Sequence, residues 1–426
     1  MSQPRPQPRP IDFSLADFTH NDNPDVGHAP AEFLEWTAHE EIQWGMGFFE
    51  QVLGTSASPR ITIIDRATGK PRQMINLTSY NYLGLNTHPE VIAAAMQGLK
   101  TFGLGASGSP RLSGLMAVHQ ELNEKLSAFK RKEDCVLFSG GVMGNIGAIS
   151  AIMRKNDVLV IDELAHQSIV DGATLARCKL RTFTHNDAND LERVLKQGKD
   201  EGRRQLVAVE GVYSMDGDLA NLPEITDVCE RYGAGIYLDE AHSTLMFGKN
   251  GRGAAEHFDV EDKIAINYGT FSKSFGAVGG FVCASRDLIL YMRCYATTYA
   301  FSCAPAPAIM AGLIKSLEVA TRDSSLRDRL WENTAYFRGQ LEKLGFNLGL
   351  TQSQVLPIIL GVEREKLFRY TEALQKRGLF IQPVDYPAVP AHGTRFRVSM
   401  SAEYTRELMD EALNIIEDVL IRNKLD

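Results

Sequence analysis

The sequence predicts an α/β protein with a doubly wound, mostly parallel sheet and a smaller α+β lobe at its C-terminal end. Three observations predict it. Short apolar runs rich in β-branched residues recur at Cys135–Phe138, Val158–Ile161, Leu206–Glu210, Gly235–Asp239 and Ile264–Tyr268. Helical stretches lie between or beside them, such as Val118–Phe129, Asn189–Lys196 and Leu222–Tyr232. Strands that alternate with helices form parallel sheets covered on both faces. The third observation is that polar residues gather just past the ends of these runs, where open α/β sheets bind ligands.

Taken in order, the chain opens with MSQPRPQPRPIDF. It lacks the apolar stretch of a secretory signal, and its prolines would break a transit-peptide helix. It reads as a polyproline-like arm. Residues 30–54 hold Phe33, Trp36, Trp44, Phe48 and Phe49 among acids. This predicts one or two helices that pack on the main body or on a partner subunit; the alternative is a wall of a channel for an apolar substrate. Residues 1–59 are thus expected as an N-terminal arm and 60–305 as the large α/β domain, with Gly279–Ala284 as one more strand that could run antiparallel. Long helical segments take over from about residue 310. They are followed by strands at Val355–Leu360, Phe380–Pro383 and Phe396–Met400 and a last helix from Thr405 to about Asn423. Residues 306–426 are expected to form the smaller lobe.

Composition bounds the function. The chain has 426 residues, 44% hydrophobic and 23% charged, which suits a globular enzyme with a large core. A net charge of −8 argues against a broad nucleic-acid-binding surface. The six cysteines are scattered with no C-x-x-C pair, as expected of reduced thiols in a cytoplasmic protein, and no metal site is expected. No apolar run approaches membrane-spanning length.

The chemistry centres on Lys273, in Gly269-Thr270-Phe271-Ser272-Lys273-Ser274-Phe275-Gly276. Alone it could be a surface lysine in a flexible loop. Upstream, however, the run Gly235–Asp239 ends in an acid, and His242 follows. An amine for covalent attachment, an acid for a pyridine nitrogen and small hydroxyl residues for a phosphate are what pyridoxal phosphate (PLP) requires. Ser139-Gly140-Gly141-Val142 follows another strand and opens a helix, whose free N–H groups suit a phosphate. His166, just past Asp162, could stack on a flat cofactor or be a satisfied structural residue. Asp239-Glu240-Ala241-His242 also matches a helicase box. That function needs a G-x-x-x-x-G-K-[S/T] loop, and no Gly-Lys here precedes Ser or Thr.

These residues carry a resemblance to the α-oxoamine synthases, PLP enzymes of fold type I, over about residues 60–420. The motifs are SYNYLGL (79–85), HND (185–187), EGVYSMDGD (210–218), YLDEAHS (237–243) and GTFSKSFGAVGG (269–280). Tyr80-Asn81, Ser243, Gly251-Arg252-Gly253 and GTFSKS are most similar to the soluble bacterial serine palmitoyltransferases. The resemblance implies a PLP-dependent transferase fold with a seven-stranded sheet, and a homodimer. By position it implies that Lys273 holds the cofactor, that Asp239 bonds the pyridine nitrogen and that His166 stacks on the ring. His242 and Ser214 would lie near the phenolic oxygen. Thr270 and the Gly141-Val142 backbone would hold the phosphate, with Ser302 from a partner chain. Arg397 would clamp the amino-acid carboxylate, with Arg395 two residues away as a rival on the same face. Tyr80 and Asn81 would line the substrate side.

The reaction implied is a decarboxylative condensation. A small amino acid (serine, alanine or glycine) displaces Lys273, which then removes the α-proton. The carbanion attacks an acyl thioester on CoA or a carrier protein. The thiol leaves, CO2 is lost, and an α-amino ketone results. An 8-amino-7-oxononanoate synthase or 2-amino-3-ketobutyrate CoA ligase type of activity is the alternative. A catalytically silent partner subunit and a different fold-type I enzyme, such as an aminotransferase, are the rivals. The chain departs from the family pattern at Pro110, Val142, Leu245 and Tyr404, positions expected to lie near the substrates.

Overall fold

The structure is a computed structural model that describes residues 18, 23–65 and 68–422. The Pro-rich start lies outside the described residues. The large sheet has seven strands. In space they run Asp134–Phe138, Gly280–Ala284, Ile266–Thr270, Gly235–Asp239, Gln205–Glu210, Val158–Asp162 and Lys179–Phe183. All are parallel except Gly280–Ala284, which is antiparallel to both neighbours.

Alternation along each strand builds a core on both faces. Leu159 and Ile161 pack on one face beneath Gly141–Ile152 and Gln167–Ala176. Val158 and Val160 pack on the other beneath Ala188–Asp200 and Leu222–Tyr232. A strand covered on both sides reads as a continuous apolar run, which is why the central strands are legible in the sequence. Lys179–Phe183 was not predicted. It is an edge strand whose first two residues are exposed, so its pattern is mostly polar.

The smaller lobe holds a three-stranded antiparallel sheet, Val355–Ile359, Arg395–Ser399 and Pro383–Val384. The single strand predicted at Phe380–Pro383 is instead two short ones. Leu379–Phe380 pairs in parallel with Pro71–Asn76, and Pro383–Val384 joins the other sheet. The chain changes sheets between them, and Pro383, with no N–H to give, opens its edge strand. The hairpin Arg60–Ile64/Pro71–Asn76, expected within the large domain, therefore pairs with a strand of the C-terminal part. The last helix is α-helical over Arg406–Glu417 and ends in a π-turn, Asp418–Arg422.

The N-terminal aromatics pack, as one of the two readings expected. His28–Thr37 and Glu40–Met46 are helices, and Trp44 and Phe48 surround Phe368 with ring centroids 6.0 and 5.8 Å away.

Candidate active site

The strand ends bring the candidate residues together from the core outward. Asp239 ends its strand and is buried. Asn145 donates to its Oδ2 at 2.8 Å and the Ala241 N–H to its Oδ1 at 2.9 Å. Asn145 is itself fixed, donating to Ser168 at 2.9 Å and accepting from the Tyr237 hydroxyl at 2.6 Å. Burial pushes the Asp239 carboxyl up, while Asn145, the Lys273 charge and the Ala241 N–H pull it back.

Lys273 lies in a turn anchored by Phe271 and Phe275, both fully buried, and by the Ser274 hydroxyl donating to the Thr244 carbonyl at 2.8 Å. Burial lowers its amine, against the pull of Asp239 and Glu210. Its Nζ stands 5.9 Å from the Tyr80 ring centroid. Among the described residues no carboxylate is within ion-pair distance of Lys273, so the amine is not locked into a salt bridge. The neighbouring acid of the DEAH segment behaves differently: Glu240 is fully buried and pairs with Lys130 at 2.5 Å.

The phosphate turn has the expected form. Gly140 opens the helix Gly141–Ile152 with no side-chain cap, so first-turn N–H groups are free for an anion. A Cβ at Gly141 would meet the Thr270 hydroxyl at 2.7 Å, so only glycine lets the turn approach. Thr270 and Ser272 share a 2.8 Å hydrogen bond beside it. Val142 points outward and is 52% exposed. These features fit a phosphate group, and with Lys273 and Asp239 they fit PLP.

His166 caps the helix Gln167–Ala176, its Nδ1 2.7 Å from the Ser168 hydroxyl, and its ring is exposed. His242 is buried, its Nδ1 2.7 Å from the Tyr82 hydroxyl. Burial, then Lys273 and Arg397, hold His242 well below the ordinary imidazole value, so it is neutral. Burial also raises the Tyr82 hydroxyl, which keeps its proton. The phenol therefore donates to Nδ1, and the imidazole proton sits on Nε2.

The two arginines separate cleanly. Arg395 is buried and committed: it pairs with Asp216 at 2.7 Å and donates to the Met215 and Gly393 carbonyls at 3.0 and 2.8 Å. Among the described residues Arg397 has no carboxylate partner. It donates to the Ser214 carbonyl at 3.2 Å and to the Tyr80 hydroxyl, and its guanidinium lies 4.9 Å from the Tyr80 ring centroid. Asn81 is buried and turned toward Asn86 and Glu403, at 2.6 and 3.2 Å. Ser302 is half-buried; its neighbour Cys303 accepts from Ser139 at 3.0 Å.

The loop that carries Ser214 is tied down by the HND motif. His185 bridges Asp162 at 3.0 Å and Asp218 at 2.7 Å. Burial works against its charge, but the two carboxylates win and raise it to about 10.

Two of the departures lie elsewhere than expected. Leu245 is 1% exposed in the core cluster and takes φ +69°, a left-handed conformation that favours glycine. Tyr404 is buried, donating to the Asn76 and Ser399 carbonyls. Among the described residues, neither side chain makes a hydrogen bond to Lys273, Asp239 or Arg397; both pack in the core cluster that also holds Tyr82, Phe271 and Phe275. Pro110 sits in a half-exposed turn. Sequence reasoning missed Asn145, Tyr82 and Glu210. The signal for Asn145 was a lone amide in the apolar helix GVMGNIGAISAI.

A model of the aminotransferase class I and II family matches residues 72–416. The 8-amino-7-oxononanoate synthase of Thermoanaerobacter pseudethanolicus is 40% identical over 368 residues, 86% of this chain and 91% of that protein. A 4-hydroxy-2,2'-bipyrrole-5-methanol synthase of Serratia sp. is 35% identical over 405 residues, 95% of this chain and 61% of that protein. A serine palmitoyltransferase structure from S. paucimobilis, with bound PLP-myriocin, superposes with TM-score 0.82 at 34% identity, covering 87% of this chain and 92% of that one. The chain belongs to the aminotransferase class I and II family. Within it, the chain falls in the α-oxoamine synthase group: a PLP-dependent acyltransferase.

Proposed function

We propose that the enzyme condenses a small amino acid (serine, alanine or glycine) with an acyl thioester on CoA or a carrier protein, releasing CO2 and free thiol and giving an α-amino ketone. The carrying observation is that a buried amine, Lys273, and a guanidinium, Arg397, neither paired with an acid among the described residues, stand 5.9 and 4.9 Å from the Tyr80 ring centroid. Bound PLP supplies an electron sink for the charge that develops at Cα.

The residues divide the remaining work. Asp239, held by Asn145, would supply a negative charge to the pyridine nitrogen. His166 would stack on the ring. The His242 Nε2–H and Ser214 would serve the phenolic oxygen. Thr270 and the Gly141-Val142 backbone would hold the phosphate. Arg397 fixes the substrate carboxylate, and Tyr80 and Asn81 close the substrate side. Lys273, with its amine pushed toward neutrality by burial, takes the α-proton and later returns one. A second copy of the chain, supplying Ser302, is part of this reading. The exposed apolar side chains Phe301 (87%), Leu104 (83%) and Leu112 (88%) support a homodimer.

For the acyl group, a cavity of about 340 Å³ opens beside Lys273. Leu53, Ala57, Ala277 and Phe380 line it together with amides and hydroxyls, and among the described residues in its wall Lys273 is the one charged group. That favours an uncharged acyl group over one ending in a carboxylate, as an oxononanoate product would require. The test is a matrix of amino acids against acyl thioesters read by thiol release. Uncharged acyl donors are expected to exceed ω-carboxylated ones of equal length in kcat/KM by about tenfold or more, the scale of an unpaired charge. A preference for the carboxylated donor would overturn this choice.

A further inference from the structure

Glu210 lies outside every role given above, yet it adjoins the central acid, Asp239, and its charge would act on Lys273. It ends the strand next to that of Asp239, and the two residues are direct register partners. Register partners on adjacent parallel strands project to the same face, so the two carboxyls stand side by side. Both are 3% exposed. The Glu210 Oε1 accepts the backbone N–H of His166 at 2.7 Å. His166 is the residue at which the chain leaves the neighbouring Val158–Asp162 strand to begin its helix.

We propose that Glu210 is a positioning residue that holds the His166 backbone, and so its ring, over the cofactor site while serving as the uncharged half of a carboxyl pair with Asp239. The inference rests on the reading of His166 as the ring-stacking residue.

Of two neighbouring buried carboxyls, the charge of one disfavours the charge of the other. The hydrogen bonds decide which one ionises. Asp239 receives two N–H donors, from Asn145 and Ala241, whereas Glu210 receives one, from His166. The charge therefore settles on Asp239 and the proton on Glu210. Burial first, then the Asp239 charge, drives the Glu210 carboxyl well above the usual range. Lys273 and the His166 N–H oppose this, and Asp162 adds to it. Tyr213 and Tyr268 also face Glu210; burial raises both, so they are neutral. A neutral acid keeps a carbonyl oxygen for the His166 N–H without adding a second negative charge beneath the ring. The arrangement thus separates two tasks on adjacent strands: charge at Asp239 and placement at Glu210.

The test titrates apoenzyme with PLP, following the absorbance of bound cofactor, for wild type, Glu210→Gln, Glu210→Ala, His166→Ala and the double variant His166→Ala/Glu210→Ala. Glutamine keeps the acceptor and is neutral, so E210Q should bind PLP within about twofold of wild type, and its bound-cofactor absorbance should titrate with pH as the wild type's does. E210A leaves the His166 N–H unpaired and should weaken PLP by about tenfold or more. If Glu210 acts through His166, the double variant should bind no more weakly than H166A alone. A displaced pH titration in E210Q, PLP binding by E210Q as weak as by E210A, or additive losses in the double variant would each overturn the proposal. Should E210A not fold, E210Q and its pH titration still decide. Unchanged PLP affinity in H166A would instead overturn the stacking reading on which the inference rests.

Discussion

Replacing Arg397 and Arg395 in turn tests the substrate side of the site, because the two share a strand face but differ in burial and in what they touch. Arg397 now donates to a carbonyl, a phenol and the Met215 sulfur, at 3.2 Å to the Ser214 oxygen and 3.6 Å to Met215. None is charged, so the guanidinium can turn to a carboxylate without breaking an ion pair. Two charge-assisted hydrogen bonds at about 1.5 kcal/mol each give about 3 kcal/mol for the clamp, or roughly a hundredfold in amino-acid affinity. R397A should therefore raise the amino-acid KM about a hundredfold while its PLP content and melting temperature stay near wild type. R397K should recover part of the loss, since an ammonium reaches a carboxylate at one point rather than two. Arg395 makes three hydrogen bonds from a buried position, one of them to Asp216. R395A should instead destabilise the fold by about 2–4 kcal/mol, with a smaller effect on KM. The assay is a titration of the cofactor absorbance with amino acid, alongside urea unfolding. An unchanged KM in R397A, or a loss of affinity larger in R395A than in R397A, would refute the assignment.

Asn145→Ala should weaken PLP binding and destabilise the fold by about 3 kcal/mol, because Asp239 loses one of two donors and the buried Tyr237 hydroxyl its acceptor; denaturant melts with and without PLP read both effects. For His185, raised to about 10 by Asp162 and Asp218, the stabilisation is complete below the ordinary imidazole value and fades as pH rises through about 10. The full linkage is about 5 kcal/mol; with the side chain 22% exposed, screening reduces it to roughly 2–3 kcal/mol. Wild type should therefore lose more stability than His185→Gln between pH 7 and pH 10, measured by urea unfolding at each pH. Leu245→Gly should relieve about 1–2 kcal/mol of left-handed strain but lose a larger buried contact, leaving a net destabilisation of about 1–3 kcal/mol with unchanged substrate preference; kcat/KM across the acyl donors reads the second half.

The parts of the fold legible in the sequence are those buried on both faces. Gly235–Asp239 was predicted to the residue because every position in it is apolar or ends the strand. The edge strand Lys179–Phe183 and the hairpin Arg60–Ile64/Pro71–Asn76 were not predicted, since exposure on one side and pairing with a distant partner leave no local pattern. At the site, motif spacing pointed to Lys273, Asp239 and the Gly141 turn, because each sits at a strand end or a glycine turn. Glu210 and Asn145 escaped because their meaning depends on register and on a helix crossing over a strand, which only three dimensions supply. Leu245 and Tyr404 were placed near the substrates because they differ from relatives. Their side chains are buried in the core, where a difference reflects packing and backbone conformation.

The central claim is that Lys273 carries the cofactor. Borohydride treatment of the purified holoenzyme, followed by proteolysis and mass spectrometry, fixes the cofactor to the amine that holds it. The account predicts a phosphopyridoxyl group on the peptide that contains Lys273, absent from Lys273→Ala, which also shows no thiol release above background. A label on any other lysine, or thiol release by Lys273→Ala at the wild-type rate, would contradict it.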